Sequence, residues 1–438
     1  MKRFFLLLSI LLISSAAFSQ GILKMIGRSE EFFKLLSEEK FTEAYGYFDP
    51  GFQAKVSEDN LKQIWAQLTG KLGKLETIQV ISSKNQEEYF VVTLEGRFTN
   101  DGQNFLLAFD KTEKLVGFFL QPSNKTAAYV PPAYADTSLY KETEVNVKTA
   151  GHSLVGILTA PKHVNGYPLV VFVHGSGPQD MDETFGPNKP FKDLAAGLAS
   201  KGIASIRYVK RTMLYGNEFT GAFTVKEEVT DDALAAVALA RTIPEANKKQ
   251  LYLLGHSLGG MLAPRIAALA PDLNGIILLA APARKMTDVI VDQNKYLFEL
   301  QKDTTSAGKM KLDSIVNDLN RSRITKLGAL KPDSLLSGLP ASYWVDLNLY
   351  NQVTVAKQLS KQRIFVAQGD ADFQVSAADF NLWKAALGAK KNAVLKLYPE
   401  LNHILMPQKE KSDLRQYEVP SNVPVTLIND LSGWVKGK

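Results

Sequence analysis

The sequence predicts an α/β fold, in which a mostly parallel sheet carries helices on both faces, preceded by a small α+β domain. From about Tyr140 onward, short apolar runs alternate with helical patterns, which indicates parallel strands joined by helices. Between residues 20 and 121, helical patterns come first and strand patterns follow, as in segregated α+β domains. The segment 122–140 includes an aperiodic stretch with three prolines and is interpreted as a linker.

The small domain is expected to place helices before a sheet. Apolar residues recur at helical spacing in Phe32–Leu36 and in Leu61–Leu68. Polar or glycine-containing turns separate the strand candidates, which are Ile78–Ile81, Tyr89–Leu94, Phe105–Phe109 and Val116–Leu120. This order of elements supports the α+β interpretation.

The larger domain, 141–438, is predicted to be built on a largely parallel sheet covered by helices on both faces. The strand candidates are Glu144–Val147, Leu154–Leu158, Leu169–Val173, Ile203–Tyr208, Leu251–Leu254, Gly275–Ala280, Arg363–Gln368 and Ala393–Tyr398. Helical patterns fall between them, as in Phe191–Lys201 and in Asp231–Arg241, where two leading acidic residues favour a helix N-terminus.

One interval of this domain, at about 284–360, is too long for a simple crossover. It carries several helical patterns, so we expect a helical cap inserted between two strands, beside the loops at the carboxyl ends of the strands. Its apolar residues either line an acyl pocket or pack the core of the cap itself, and they include Tyr343, Trp344, Leu347 and Tyr350.

Residues 1–19 have the pattern of a signal peptide. A basic start is followed by the apolar run Phe4–Leu12 and by small residues that fit cleavage after Ser19. The run is shorter than the roughly 20 residues that span a bilayer, so we expect export to the periplasm or the medium without a stable membrane anchor.

Composition excludes several classes of site. The chain has no cysteine, which rules out disulfides, thiol catalysis and thiolate metal ligands. There is no paired-histidine metal motif, and we expect neither a metal nor a cofactor. The formal net charge of +6 is spread along the chain without a basic block, which argues against nucleic acid as a partner.

The segment Gly255–Gly260 has the pattern of a nucleophile elbow. It follows the strand candidate Leu251–Leu254 and precedes the helical run Met261–Ala270. Glycines on both sides let the backbone pass close by, so the hydroxyl of Ser257 is expected to stand above the edge of the sheet. Gly151–Val155 looks similar but lacks the second glycine and leads into a strand.

A serine hydroxyl needs a neighbouring base, for which histidine is the usual choice. The chain has five histidines. His152 and His163 flank the second strand, His174 lies in the loop after the third, and His256 is expected to face away from the nucleophile. His403, after the last strand, completes the chain order serine, acid, histidine and is the predicted general base.

The acid that orients the histidine is expected in the turn after Arg363–Gln368. Asp372 lies far enough past the strand for the chain to have turned toward His403. Asp370 is the other candidate, and it is expected instead to hydrogen-bond the backbone of its own turn.

Backbone amides are needed to stabilise the oxyanion of the tetrahedral intermediate. The loop that follows the third strand supplies candidates in Gly175 and Ser176, and the amide of Leu258, next to the nucleophile, is the natural second donor.

Together, 174–178, 255–260, 369–375 and His403 resemble the α/β-hydrolase superfamily, with the greatest likeness to secreted bacterial esterases related to dienelactone hydrolases and serine aminopeptidases. The resemblance implies an α/β-hydrolase fold over 141–438 and a small-molecule ester as substrate. It also implies that 182–191 and Tyr208–Arg211 border the site, with Lys210 and Arg211 as substrate contacts. Val209 stands where an acidic residue is expected. The N-terminal domain resembles a domain of unknown function that is often fused to such hydrolases.

Two other functions are weighed against the ester hydrolase. An aminopeptidase or other amide hydrolase uses the same triad, although the N-terminal region is too short for the β-propeller of many oligopeptidases, which needs roughly 40–45 residues per blade. A non-catalytic binding protein on this scaffold normally lacks a triad member, whereas Ser257, Asp372 and His403 are all present.

Overall fold

The structure is a computed structural model that describes residues 25, 27–86, 89–121, 129–302 and 304–437. The predicted signal peptide lies outside the described residues, as do residues 122–128 of the predicted linker. The chain divides into two compact units, Met1–Thr126 and Ala127–Lys438. None of the described helices combines the length and the apolar character that crossing a membrane requires.

The first unit has helices followed by an antiparallel sheet with its strands in sequence order. The helices are α1 (27–37), α2 (Phe41–Tyr45), α3 (Pro50–Gln53) and α4 (Glu58–Leu72). The strands are β1 (Leu75–Gln86), β2 (Tyr89–Phe98), β3 (Gly102–Phe109) and β4 (Leu115–Gln121). A capping box formed by Ser57 and Asn60 starts α4. An aromatic core that includes Phe33, Trp65 and Phe105 joins the helices to the sheet.

The second unit is built on a sheet of eight strands in the order β14-β13-β10-β9-β7-β8-β6-β5. The strands of this sheet are β5 (Tyr140–Thr149), β6 (His152–Pro161), β7 (Tyr167–Val173), β8 (Ala204–Tyr208), β9 (Ala246–His256), β10 (Gly275–Leu279), β13 (Arg363–Gly369) and β14 (Ala393–Tyr398). The six strands from β14 to β8 pair in parallel, while β5 and β6 are antiparallel. The predicted fold class is therefore confirmed.

Helices cover both faces of this sheet because the central strands are apolar on both sides. Every residue of β7 is buried. One face packs against α7 and α8, and the other against α5 and α14. The helices of the unit are α5 (Pro190–Ser200), α6 (Arg211–Leu214), α7 (Asp231–Thr242), α8 (Leu258–Leu269), α9 (Met286–Gln301), α10 (Ser306–Arg321), α11 (Ala341–Leu349), α12 (Gln352–Gln358), α13 (Ala377–Leu387) and α14 (Val425–Val435).

The interval between β10 and β13 carries four of these helices, α9 to α12. It also contains a short hairpin of two-residue strands, β11 (Leu335–Leu336) and β12 (Leu339–Pro340), which the sequence did not predict. Residues of α9, β12 and α11 line the cavity in front of Ser257. The insertion therefore lies over the carboxyl ends of the strands, where the chain order placed it.

Candidate active site

Ser257 lies in a sharp turn between β9 and α8. Its φ of 52° and ψ of −116° are strained for a residue with a side chain. The turn closes only because its neighbours lack side chains: a Cβ on Gly255 would lie 2.2 Å from the carbonyl oxygen of Gly259, and one on Gly259 would lie 2.3 Å from that of Val173. This turn places the hydroxyl of Ser257 beyond the end of β9, where it faces His403.

Ser257, His403 and Asp372 meet at the carboxyl ends of β9, β14 and β13. Nε2 of His403 is 3.0 Å from Oγ of Ser257, and Nδ1 of His403 is 2.8 Å from Oδ2 of Asp372. Because the carboxylate accepts the proton on Nδ1, Nε2 is left as the acceptor that faces the hydroxyl. The structure thus brings the three residues into the arrangement in which a serine is activated.

The carboxylate of Asp372 is fully buried and its orientation is fixed on both oxygens. Oδ1 accepts the backbone amides of Gln374 and Val375 at 2.7 and 2.8 Å, and Oδ2 accepts the side-chain amide of Gln368 at 2.9 Å. The expectation for Asp370 was wrong in its detail. Oδ1 of Asp370 accepts the backbone amide of Glu400 at 2.7 Å. Asp370 therefore joins the turn after β13 to the loop that leads to His403, instead of bonding its own turn.

Ser176 and Leu258, two of the residues predicted to supply oxyanion donors, both line the cavity at Ser257. The amide of Gly175 is engaged elsewhere, since it donates to Oε1 of Glu183 at 2.6 Å. The expectation that Gly175 supplies an oxyanion donor is therefore corrected. Ser176 is the remaining candidate in this loop.

A buried ion pair between His256 and Glu183 lies beneath the site. Nε2 of His256 donates to the carbonyl oxygen of His403 at 2.8 Å, and Nδ1 lies 3.0 Å from Oε1 of Glu183. Burial opposes the charge on His256, but the Glu183 carboxylate outweighs it, so the pKa of His256 is raised. Burial likewise opposes the charge on Glu183, yet His256 holds the pKa of that carboxyl below its usual value.

This pair joins three segments of the site. Glu183 holds the amide of Gly175 in the loop after β7, and His256 holds the backbone of His403. The sequence placed 182–191 beside the site through a resemblance, but the partnership of Glu183 with His256 was missed. The residues around Glu183 in the sequence do not indicate that its partner is His256.

Lys210 and Arg211 do not face the cavity. Both are buried. Nζ of Lys210 donates to the carbonyl oxygen of Gly175 at 2.7 Å and to Glu228 at 2.6 Å, while Arg211 pairs with Asp232. Their predicted role as substrate contacts is therefore wrong: Lys210 holds the carbonyl oxygen of Gly175 in the loop that follows β7.

The remaining histidines take no part in the hydrogen bonds that join Ser257, His403 and Asp372. His152 pairs with Glu218 at 2.7 Å, and His163 occupies a turn at φ 59°. Burial lowers the pKa of His174 to about 4, so its ring stays neutral and packs between Phe191 and Tyr208 at centroid distances of 5.1 and 5.3 Å. His174 therefore anchors the start of the loop that follows β7.

A cavity of about 280 Å³, which we call the catalytic cavity, opens in front of Ser257 and His403. Cap residues form its outer wall, and they include Met286, Val289, Ile290, Leu339, Tyr343 and Trp344. Tyr343 and Trp344 line this cavity and also belong to the hydrophobic core. Tyr350 does not line the cavity, and its hydroxyl donates to the carbonyl oxygen of Met261 at 3.0 Å. Leu347 does not line it either, since it is buried in the core that the sheet forms with α7 and α8. The described residues hold no group of three or more acidic or histidine side chains placed to bind a metal ion.

Comparison with known proteins places this geometry in a family. Residues 189–410 match the family model described as serine aminopeptidase, S33, and residues 29–118 match one described as a protein of unknown function, DUF3887. Esterase EstD of Thermotoga maritima is 33% identical over 404 residues, which cover 92% of this chain and 93% of that protein. The chain belongs to the α/β-hydrolase superfamily.

Solved structures with some likeness to this α/β-hydrolase include Est1E from Butyrivibrio proteoclasticus, at 16% identity and a TM-score of 0.43 over 67% of this chain and 99% of that one. Another is the dienelactone hydrolase from Anabaena variabilis, at 14% identity and a TM-score of 0.40 over 68% of this chain and 98% of that one.

Proposed function

We propose that this protein is a serine esterase that hydrolyses small-molecule carboxylic esters through an acyl-enzyme on Ser257. The observation that carries the proposal is the continuous hydrogen-bonded line from Oγ of Ser257 through His403 to Asp372. The relative that matches over nearly its whole length is itself named an esterase, which supports the choice of substrate.

In the proposed reaction, Nε2 of His403 takes the hydroxyl proton as Oγ of Ser257 attacks the ester carbonyl carbon. The amides of Ser176 and Leu258 donate to the oxyanion that forms. His403 then gives its proton to the departing alkoxide, which leaves as the alcohol. A water molecule, deprotonated by the same nitrogen, attacks the acyl-enzyme and releases the acid.

The charges around the cavity favour a neutral ester over a peptide with a free amino terminus. Glu183 is the acidic residue among the described residues that line the catalytic cavity, and its charge is offset by His256. An aminopeptidase substrate carries an ammonium group, which needs an unpaired carboxylate to offset the cost of its desolvation. A paired glutamate does not provide one.

The direct test is labelling with a fluorophosphonate probe, followed by assays on chromogenic esters of increasing acyl length and on aminoacyl amides. We expect wild type to be labelled and to cleave esters faster than amides, and Ser257→Ala to lose labelling and about 10⁶-fold in turnover because the triad acts as a unit. Equal labelling of Ser257→Ala would show that another residue is the nucleophile. Preferential cleavage of aminoacyl amides would move the protein to the peptidase class.

We also propose that the protein is exported and that residues 1–19 are removed, on the strength of the basic and apolar pattern at the N-terminus. Fractionation followed by N-terminal sequencing is expected to find a mature chain that begins at Gln20 outside the cytoplasm. A cytoplasmic chain that still carries residues 1–19 would contradict this.

A further inference from the structure

A second cavity, of about 330 Å³, adjoins the catalytic cavity and is lined in part by residues 176–178 of the loop that follows β7. The two cavities share three lining residues, Ser176, Leu339 and Tyr343. Ser257 and His403 line the catalytic cavity alone. The second cavity is therefore next to the site of reaction without containing any of the proton-transfer groups.

Aromatic rings form one wall of the second cavity. The ring of Phe223 lies 5.0 Å from that of Phe219 and 5.7 Å from that of Tyr343, and both pairs meet edge to face. Leu335, Leu339 and Pro340 of the β11–β12 hairpin supply further apolar surface. These surfaces suit an apolar ring, which gains from edge-to-face contacts as well as from burial.

The one acidic residue among the described lining residues of the second cavity is Glu228, and it is not available to a charged ligand. Its carboxylate lies 2.6 Å from Nζ of Lys210, and both side chains are buried. The cavity is therefore electrically neutral. An apolar cavity of roughly 150 Å³ is enough to hold benzene, so this one has room for a phenyl ring with a short linking chain.

The proposed mechanism determines which part of the ester, the acyl chain or the alcohol, lies in the second cavity. The departing alkoxide must be within hydrogen-bond reach of Nε2 of His403, which lines the catalytic cavity only. The carbonyl oxygen must face the amides of Ser176 and Leu258. The third substituent of the carbonyl carbon, the acyl chain, is left to extend past Ser176.

We propose that the second cavity is the acyl site and that it selects uncharged phenylalkanoyl groups. This rests on the proposed esterase function. Its prediction is separate, because the acyl group remains on Ser257 after the alcohol has gone. A residue of the acyl site therefore affects every ester of one acid alike, and it affects hydrolysis of the acyl-enzyme, whatever the alcohol.

The test compares p-nitrophenyl and ethyl esters of acetic acid and of 3-phenylpropanoic acid. We expect wild type to prefer the phenylpropanoyl esters in kcat/KM, and Phe223→Ala to reduce that preference about 10-fold with either alcohol, a range typical of lost apolar contact in a pocket. Phe185→Ala is the matched control, since Phe185 is also a partly buried aromatic residue but lines only the catalytic cavity. We expect it to leave the phenylpropanoyl-to-acetyl ratio unchanged.

A second variant, Gly221→Leu, adds an apolar side chain to a residue that lines the second cavity instead of removing one. A Cβ on Gly221 meets no atom within 4 Å. We expect this variant to slow hydrolysis of phenylpropanoyl esters and of the phenylpropanoyl-enzyme more than that of acetyl esters, which lowers the phenylpropanoyl-to-acetyl ratio. If neither variant changes the acyl ratio, the acyl-site proposal is overturned. If Phe223→Ala alters discrimination between alcohols instead, the cavity holds the leaving group. Failure of wild type to cleave any of the esters would overturn the esterase function itself.

Discussion

Replacing Asp372 by asparagine is the most demanding test of the triad, because the surroundings dictate how the new amide must lie. Oδ1 of Asp372 accepts two backbone amides, from Gln374 and Val375. In Asp372→Asn the carbonyl oxygen must keep that position, which places the NH₂ group where Oδ2 was. The NH₂ group then faces Nδ1 of His403 and the side-chain amide of Gln368, a donor against a donor.

Two consequences follow, and each has a magnitude. The NH₂ group donates to Nδ1 of His403, so the proton moves to Nε2 and that nitrogen no longer accepts from Ser257. A histidine held in the wrong tautomer costs on the order of 10⁴-fold in turnover. The lost charge-assisted hydrogen bonds and the donor contact with Gln368 are expected to lower the free energy of unfolding by about 2 kcal/mol.

The matched control is Asp370→Asn, two residues away. Oδ1 of Asp370 accepts one backbone amide, from Glu400, and an asparagine oxygen accepts the same bond. We expect about 1 kcal/mol of lost stability and turnover close to wild type. Turnover of a p-nitrophenyl ester and the melting temperature are measured for both variants. An inactive Asp370→Asn, with Asp372→Asn within about tenfold of wild type, would show that Asp370 is the acid instead.

Two further predictions concern buried ionisable groups. In Glu183→Gln, His256 loses the charge that raises its pKa. A raised pKa adds stability at low pH that is lost as pH rises through it, so the melting temperature of wild type should exceed that of the variant most at about pH 6, and less at about pH 9. A gap that widens toward alkaline pH would contradict the ion pair. Burial lowers the pKa of His174 from 6.5 to about 4. Because the unfolded chain takes up a proton that the buried ring does not, the free energy of unfolding falls by about 3 kcal/mol as pH drops from 6.5 to about 4. In His174→Phe, the free energy of unfolding should depend less on pH between pH 6.5 and about pH 4. Urea unfolding at these two pH values measures the change. If the variant loses as much stability on acidification as wild type does, other groups cause that loss.

Much of the candidate triad was predictable from the sequence because each position has few competing residues. A serine between close-packed glycines, after a strand and before a helix, marks one position. With five histidines in the chain, elimination left His403. The choice of Asp372 over Asp370 depended on the distance past the end of β13, which is a property of the local chain.

The supports of the site were harder to predict because they join residues that are distant in sequence. Lys210 and Arg211 have the same local pattern whether they face a substrate or a buried acid. Their partners, Glu228 and Asp232, lie 18 and 21 residues further on, and Asp232 looked like an ordinary acidic residue at the start of a helix. These ion pairs become visible only when α7 and the turn just before it are packed against the sheet.

The crowding at the nucleophile turn has an evolutionary consequence. The contacts that exclude a side chain at Gly255 and Gly259 involve backbone atoms and not the hydroxyl of Ser257. Selection against substitution at these glycines therefore acts through folding, and it would continue in a descendant whose catalysis had decayed. Among relatives of this chain, the glycines record shared ancestry, whereas retention of the serine, the aspartate and the histidine records that the chemistry is still in use.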